Sequence, residues 1–298
     1  MSMPRQILPG STYLVTRRCS ERRFFLRPSS TVNRIFLYCL ACAAAKYGIQ
    51  VHAFVALSDH YHMVVTDPEA RIPGFMSWFN EFVAKCLNAL LGRWESIWSG
   101  GTYSLVRLET PDDVLDKIVY TIVNPIAAGL VPRSEQWPGA TSRTFTFPAK
   151  IDIERPGSFF RPDGPMPEKV ALTVTRPPGF EHLTGGQFRE LLVERLRTRE
   201  AELRAEAKKQ GRGFLGVKAV ERQDPCGSPA TREPRRKLDP KIAAKDPEVR
   251  QGAIDRLRAF LDEYRKAFER WRAGIRKVVF PFGTYALRVL AGVACRAP

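Results

Sequence analysis

Two runs rich in β-branched and aromatic residues, "IQVHAFVAL" at 49–57 and "HYHMVVT" at 60–66, are separated only by Ser58 and Asp59. A polar connection that short between two strand-forming runs leaves room for little but a tight antiparallel hairpin. The hairpin therefore fixes the middle of whatever sheet this chain builds. Upstream, "STYLVTRRC" (11–19) reads as a strand. It is followed by "STVNRIFLYCLACAAAKYG" (30–48), whose apolar residues recur at helical spacing between a cap at Ser30 or Thr31 and a stop at Gly48. Downstream, 73–92 is a long amphipathic helix and 103–109 a further strand. Pro111 then opens a helix with Asp112, Asp113 and Asp116 near its N-terminus, where the helix dipole favours them.

The resulting order, β-α-β-β-α-β-α, matches an α+β fold of the ferredoxin-like, split βαβ kind, an antiparallel sheet with helices on one face and the other face open. Beyond about residue 145 the composition changes. Residues 147–169 are dense in Pro and Gly and read as a linker or irregular arm. Residues 185–211 and 246–280 read as charged amphipathic helices, and 225–241 as a basic, Pro-rich loop. The expected division is thus 1–145, a folded core, and 146–298, a linker with a basic helical region.

Charge narrows the partner. Residues 1–150 carry 16 Lys and Arg against 11 Asp and Glu, residues 151–298 carry 31 against 20, and the net charge is +16. Nucleic acid is the expected counterpart of such a balance, a generally basic composition being the alternative. No window approaches the ~20 apolar residues of a membrane span, and the N-terminus lacks an apolar signal core, so a cytoplasmic, nucleoid-associated protein is expected. The six cysteines are scattered, and the Cys39/Cys42 pair lies in an Ala-rich helical run without a second pair. They read as free, partly buried thiols.

Only four histidines occur: His52, His60, His62 and His182. In a strand, residues i and i+2 share a face, so His60 and His62 present both imidazoles together. Two hydrogen-bonded strand histidines and half of a metal site both fit that spacing. In "KIVYTIVNPIAAGLV" (117–131), Tyr120 and Asn124 lie i and i+4 on one helical face before Pro125 disturbs the helix. A core tyrosine and a helix-ending Asn-Pro are the plain alternatives to a nucleophile and an amide ligand. A tyrosine hydroxyl can attack phosphorus given cationic help, because its free pKa is about 10.

Together, "DHYHMVV" and "YTIVNPIAAGLV" resemble the HUH single-tyrosine nucleases, in particular insertion-sequence transposases and the REP-associated tyrosine transposases. Members carry an N-H-x-H strand, then a helix with Y-x-x-x-N-P and a following A-G-L-V. The resemblance spans about residues 4–137, including "PRQILPGSTYLVTRR". It implies cleavage of single-stranded or hairpin DNA by tyrosine attack on a backbone phosphate, giving a 5′-phosphotyrosine and a free 3′-OH. It also implies Mg2+ or Mn2+, His60, His62 and Asn124 as metal ligands, Tyr120 as nucleophile, and a monomer or homodimer.

The chain departs from the family pattern at Asp59 in place of Asn, in "WSGGTYSLV" where a basic stretch is usual, and at Ala127. Further DNA contacts are expected from Arg17, Arg18, Arg22 and Arg23, interleaved with Phe24 and Phe25, and from Arg235, Arg236 and Lys237. A solvated loop and a flexible tail are the alternatives. His52 reads as structural, and His182 falls outside the motif region. The rival functional classes are a non-cleaving DNA- or RNA-hairpin-binding regulator that kept the fold, and an RNA-binding module of the same topology.

Overall fold

The computed structural model describes residues 4–101, 103–143, 147–157, 159–231 and 239–298. Strand β1 (Ser11–Arg18), helix α1 (Ser30–Tyr47), β2 (Gln50–Ala56), β3 (His60–Asp67), α2 (Ile72–Leu91), β4 (Ser104–Leu108) and α3 (Pro111–Ala127) follow in the expected order. The cap of α1 falls one residue before Ser30, the earlier of the expected candidates: the Ser29 hydroxyl accepts from the Val32 amide at 3.1 Å. Gly48 closes that helix at φ 66°, a left-handed conformation that costs glycine nothing. Thr110 and Asp113 form a reciprocal capping box at the start of α3, with Pro111 in the first turn. Pro125 does not end α3 but lies within its last turn, which closes through an Ala128 amide bond to the Asn124 carbonyl at 2.9 Å.

Among the described residues the sheet has seven strands in the order β5-β6-β2-β3-β1-β4-β7. Its four central strands pair antiparallel throughout. At the flanks, β6 (Lys169–Val174) joins β2 and β7 (Ile242–Ala243) joins β4 in parallel, so the whole sheet is mixed rather than antiparallel. The segment expected to be an irregular arm supplies β5 (Ala149–Glu154), antiparallel to β6. Its Pro and Gly flank a short alternating run in which Ala149 and Ile153 are buried while Lys150 and Asp152 are not.

Helices cover both faces. Tyr61 of β3 packs edge-on against Phe36 of α1 and Phe79 of α2, with ring centroids 5.7 and 5.4 Å apart. His60 and His62 point the opposite way, and α3 lies across that side, Tyr120 standing 5.3 Å from His62. The expected open face is therefore occupied. The cause is visible in α3 itself: Val114, Leu115, Ile118, Val119, Ile122, Val123 and Ile126 form a stripe too wide to leave in water, and all are buried.

The later region adds α4 (Gly185–Lys209), packed along α3, then α5 (Val217–Glu221), α6 (Pro247–Arg272) and α7 (Ala286–Ala291). Leu192, Leu196 and Leu203 are the buried side of α4. Helix α6 stops at Arg272 rather than running to 280, and Val278 and Phe280 return to pack on Ala267. Among the described residues no helix is long and apolar enough to cross a membrane. All six cysteines are free, and Cys39 and Cys42 are buried on α1.

His52 sits where β2 slips register between Val51 and Ala53, so it does not share a face with Phe54 and Ala56 as a regular strand would require. It is fully buried, with Nδ1 2.9 Å from the Thr175 carbonyl and Nε2 2.8 Å from Thr66 Oγ1, which in turn meets Thr12 Oγ1 at 2.7 Å. Burial pushes its imidazole down to about 4, against a partial upward pull from the Thr175 carbonyl. Unfolded, the same ring takes a proton below about 6.5. The unfolded state thus binds more protons between those values, and acid favours it. Stability due to His52 is present above pH 6.5 and falls by about 3 kcal/mol by pH 4. Urea midpoints at neutral and acid pH test this. The wild type should lose more stability on acidification than His52→Gln, and equal losses would count against it.

Candidate functional site

The site is assembled from the β2–β3 turn and the outward side of α3. Ser58 and Asp59 make the turn expected of them, the Leu57 amide bonding to the His60 carbonyl at 2.8 Å. In the β1–β3 register Arg18 is opposite His60 and Thr16 is opposite His62. That pairing puts Thr16 Oγ1 2.7 Å from His62 Nδ1. On the other imidazole, Asp59 Oδ1 lies 2.6 Å from His60 Nδ1. Both Nδ1 atoms are thus engaged by oxygen, and Nε2 is the nitrogen of each ring left free of these contacts. The two rings are edge to face with centroids 4.9 Å apart.

Asp59 is nearly buried, and burial alone would raise its carboxyl. The hydrogen bond and charge of His60, with the charges of Arg18 and Arg22, outweigh that and hold it below its ordinary value. Arg22 Nε lies 3.8 Å from Asp59 Oδ2. Asp59 is therefore an ionised acceptor that fixes the His60 tautomer, an orienting part that the sequence left without a role. His62 is buried too, and burial, then the charges of His60 and Arg18, push it well below its usual value. It is a neutral ring at physiological pH.

Helix α3 brings Tyr120 to these rings, with Asn124 one turn further along the helix. Tyr120 is 41% exposed, unlike a core tyrosine, whereas Asn124 is buried. The two side chains lie one turn apart on the same face. Burial raises the phenol above its ordinary value, and the neighbouring Asn124 amide pulls it part of the way back. Asn124 also carries an amide oxygen that could serve as a donor atom. His60, His62 and Tyr120 thus form one continuous group, with Asn124 one turn beyond Tyr120.

Two imidazole nitrogens with an amide oxygen fit a divalent cation that keeps open positions for phosphate oxygens. Among the described residues no three His, Cys, Asp or Glu side chains converge on one metal-sized site.

The arginines fare differently. Arg17 donates to the carbonyls of Gly101 and Ser99 at 2.9 and 3.1 Å, holding the loop before β4. Arg22 and Arg23 each donate at 2.6 Å to carbonyls of the later region, Thr231 and Cys226, and Arg27 donates to Gln223 at 3.2 Å. These donors face backbone oxygen, while Arg18 stands beside the imidazoles. Arg235, Arg236 and Lys237 lie outside the described residues. His182 stacks on Phe180 beyond the site. Thr16, which orients His62, was missed because only strand register reveals it.

No protein-family model and no curated protein matches the chain. Among solved structures it is similar to a REP-associated tyrosine transposase bound to a REP hairpin, at 19% identity over 48% of this chain and 82% of that one, with a TM-score of 0.39. It is also similar to a proposed transposase from Deinococcus radiodurans R1 at 17% identity, covering 42% and 97% of the two chains with a TM-score of 0.30. A third likeness is to tRNA(His) guanylyltransferase from Saccharomyces cerevisiae, at 14% identity over 46% and 72%, with a TM-score of 0.32. Each covers less than half of this chain, and the site's own residues carry the chemistry.

Proposed function

We propose that the protein is a divalent-metal-dependent endonuclease and strand transferase acting on single-stranded DNA beside a hairpin, as transposases do. The observation that carries this reading is the contact of the His60–His62 imidazole pair with the Tyr120 phenol of α3, from segments about 60 residues apart. His60, His62 and Asn124 would hold Mg2+ or Mn2+, which would supply Lewis-acid stabilisation of charge on the scissile phosphate and leaving oxygen. Tyr120 Oη attacks phosphorus, the P–O3′ bond breaks, the 3′ oxygen leaves as a hydroxyl with a proton from solvent or the phenol, and a 5′-phosphotyrosine remains. Attack of the 3′-OH on the phosphotyrosine reverses these steps and rejoins a strand.

The test is to incubate the protein with labelled hairpin DNA bearing single-stranded flanks and Mn2+, then look for an SDS-resistant adduct. An adduct is expected. Hairpin binding without one would identify a non-cleaving regulator instead. The carboxylate of Asp59 gives a separate check on the metal ligands. Asp59→Ala should weaken Mn2+ binding, measured by calorimetry, by about 10–100-fold, because an outer partner that orients a ligating histidine typically contributes that much. Asp59→Asn keeps an acceptor for His60 Nδ1 and should lose less. Equal binding in all three proteins would remove Asp59 from the site.

A further inference from the structure

A cleft of about 430 Å3 runs between α3 and α4, with Tyr120 in its wall. Its lining has two characters. Val119, Val123 and Leu203 give it an apolar floor, while Arg195, Arg199 and Lys245 stand at its rim. Arg195 and Arg199 are one turn apart on α4, so both guanidinium groups reach the same side. Asp116 and Glu202 also line the cleft: Lys245 pairs with Asp116, and Arg199 Nη1 lies 2.7 Å from Glu202. These are exposed pairs of the kind worth little and easily exchanged for another anion. Arg195 has no carboxylate partner among the described residues.

The wall that α4 forms is held in place. Glu200 is buried and accepts from the Ser134 amide and hydroxyl, and Arg204 Nη1 donates to the Pro132 carbonyl at 3.4 Å. The Leu215 and Gly216 amides bond to the Gly129 and Leu130 carbonyls, each at 2.9 Å, just beyond the end of α3. The later region therefore completes a pocket whose other wall is the tyrosine helix.

We propose that this cleft is a subsite for one nucleotide of single-stranded DNA, flanking the phosphate presented to Tyr120. The base and sugar rest on Val119, Val123 and Leu203, and the backbone phosphate lies against Arg195 and Arg199. A pocket of this size with an apolar floor and a cationic rim suits an amphipathic anion, and a nucleotide is one. The assignment rests on the nuclease reading only for the role of Tyr120. The binding chemistry belongs to the cleft itself.

The test uses the full chain without metal and a fluorescein-labelled hairpin with a single-stranded flank. Affinity is read by anisotropy over a range of salt, alongside the adduct assay. Arg195→Glu is expected to weaken binding of the flanked hairpin by about 10-fold or more and to lower the salt slope by about 1, as the loss of a phosphate contact does. The same hairpin without its flank should bind both proteins equally. Arg34→Glu, exposed on α1 across the sheet from α3, makes the same charge change and should leave affinity for the flank alone. Unchanged affinity and slope for Arg195→Glu, or an equal loss for Arg34→Glu, overturns the subsite. If the wild type forms no adduct while Arg195→Glu still loses flank affinity, the cleavage reading fails and the subsite stands. If adducts form and flank affinity is unaltered in Arg195→Glu, the subsite fails and the cleavage reading stands.

Discussion

Replacing Tyr120 by phenylalanine should lower the rate of adduct formation by at least about 10^3-fold, since the hydroxyl proposed to form the covalent bond is gone. The fold should survive. The ring is 41% exposed, and phenylalanine keeps the contact with His62. An unchanged melting temperature beside a lost adduct would separate chemistry from folding. Hairpin affinity should also persist, because the phenol is one group on a much larger basic surface. Adduct formed at the wild-type rate by the phenylalanine variant would place the nucleophile elsewhere.

The same phenol gives a pH signature. Burial raises it above its ordinary value, so at pH 7 it is protonated in the free protein. Below its pKa the phenolate fraction grows tenfold for each pH unit, and single-turnover adduct formation should rise from pH 7 to pH 9. A flat profile would mean that the proton is lost before the measured step.

Much of this site was legible because its parts are local in sequence. The i, i+2 imidazoles and the i, i+4 phenol and amide follow from strand and helix periods, and the Ser58–Asp59 turn sets the strand that carries the histidines. What escaped was set by pairing between distant segments. Thr16 meets His62 only because β1 and β3 adopt one register. The slip at His52 is invisible in a run that alternates well enough to look regular. Strands β5, β6 and β7 are short, flanked by Pro and Gly, and stabilised by docking on edges already formed, so local propensity alone underestimates them. The covered face of the sheet is a different case. The apolar stripe of α3 was readable, but which side of the sheet it would bury was not. That choice made the site, since a helix beside α1 and α2 would have carried Tyr120 away from both histidines.

The second large effect concerns His62. In His62→Ala, Mn2+ affinity and adduct formation should both fall, the latter on the order of 10^3-fold, the scale of losing several kcal/mol of charge stabilisation at the phosphate. His62 is the more demanding of the two imidazoles because it is buried and neutral, with Nδ1 committed to Thr16 at 2.7 Å. For Nε2 to hold a lone pair, Nδ1 must carry the proton and the threonine oxygen must accept it. Thr16→Val removes that acceptor with little change of shape, so it should weaken Mn2+ binding in the same direction as His62→Ala but by less, about 10–100-fold. Thr16→Ser keeps the acceptor and should bind nearly as the wild type does. Calorimetric titration of the three variants ranks them directly. Were Thr16→Val to bind Mn2+ as tightly as the wild type while His62→Ala lost it, His62 would still be a ligand, but its tautomer would be set by something other than the strand beside it. If His62→Ala itself kept wild-type affinity, the imidazole pair would be two strand histidines and no more.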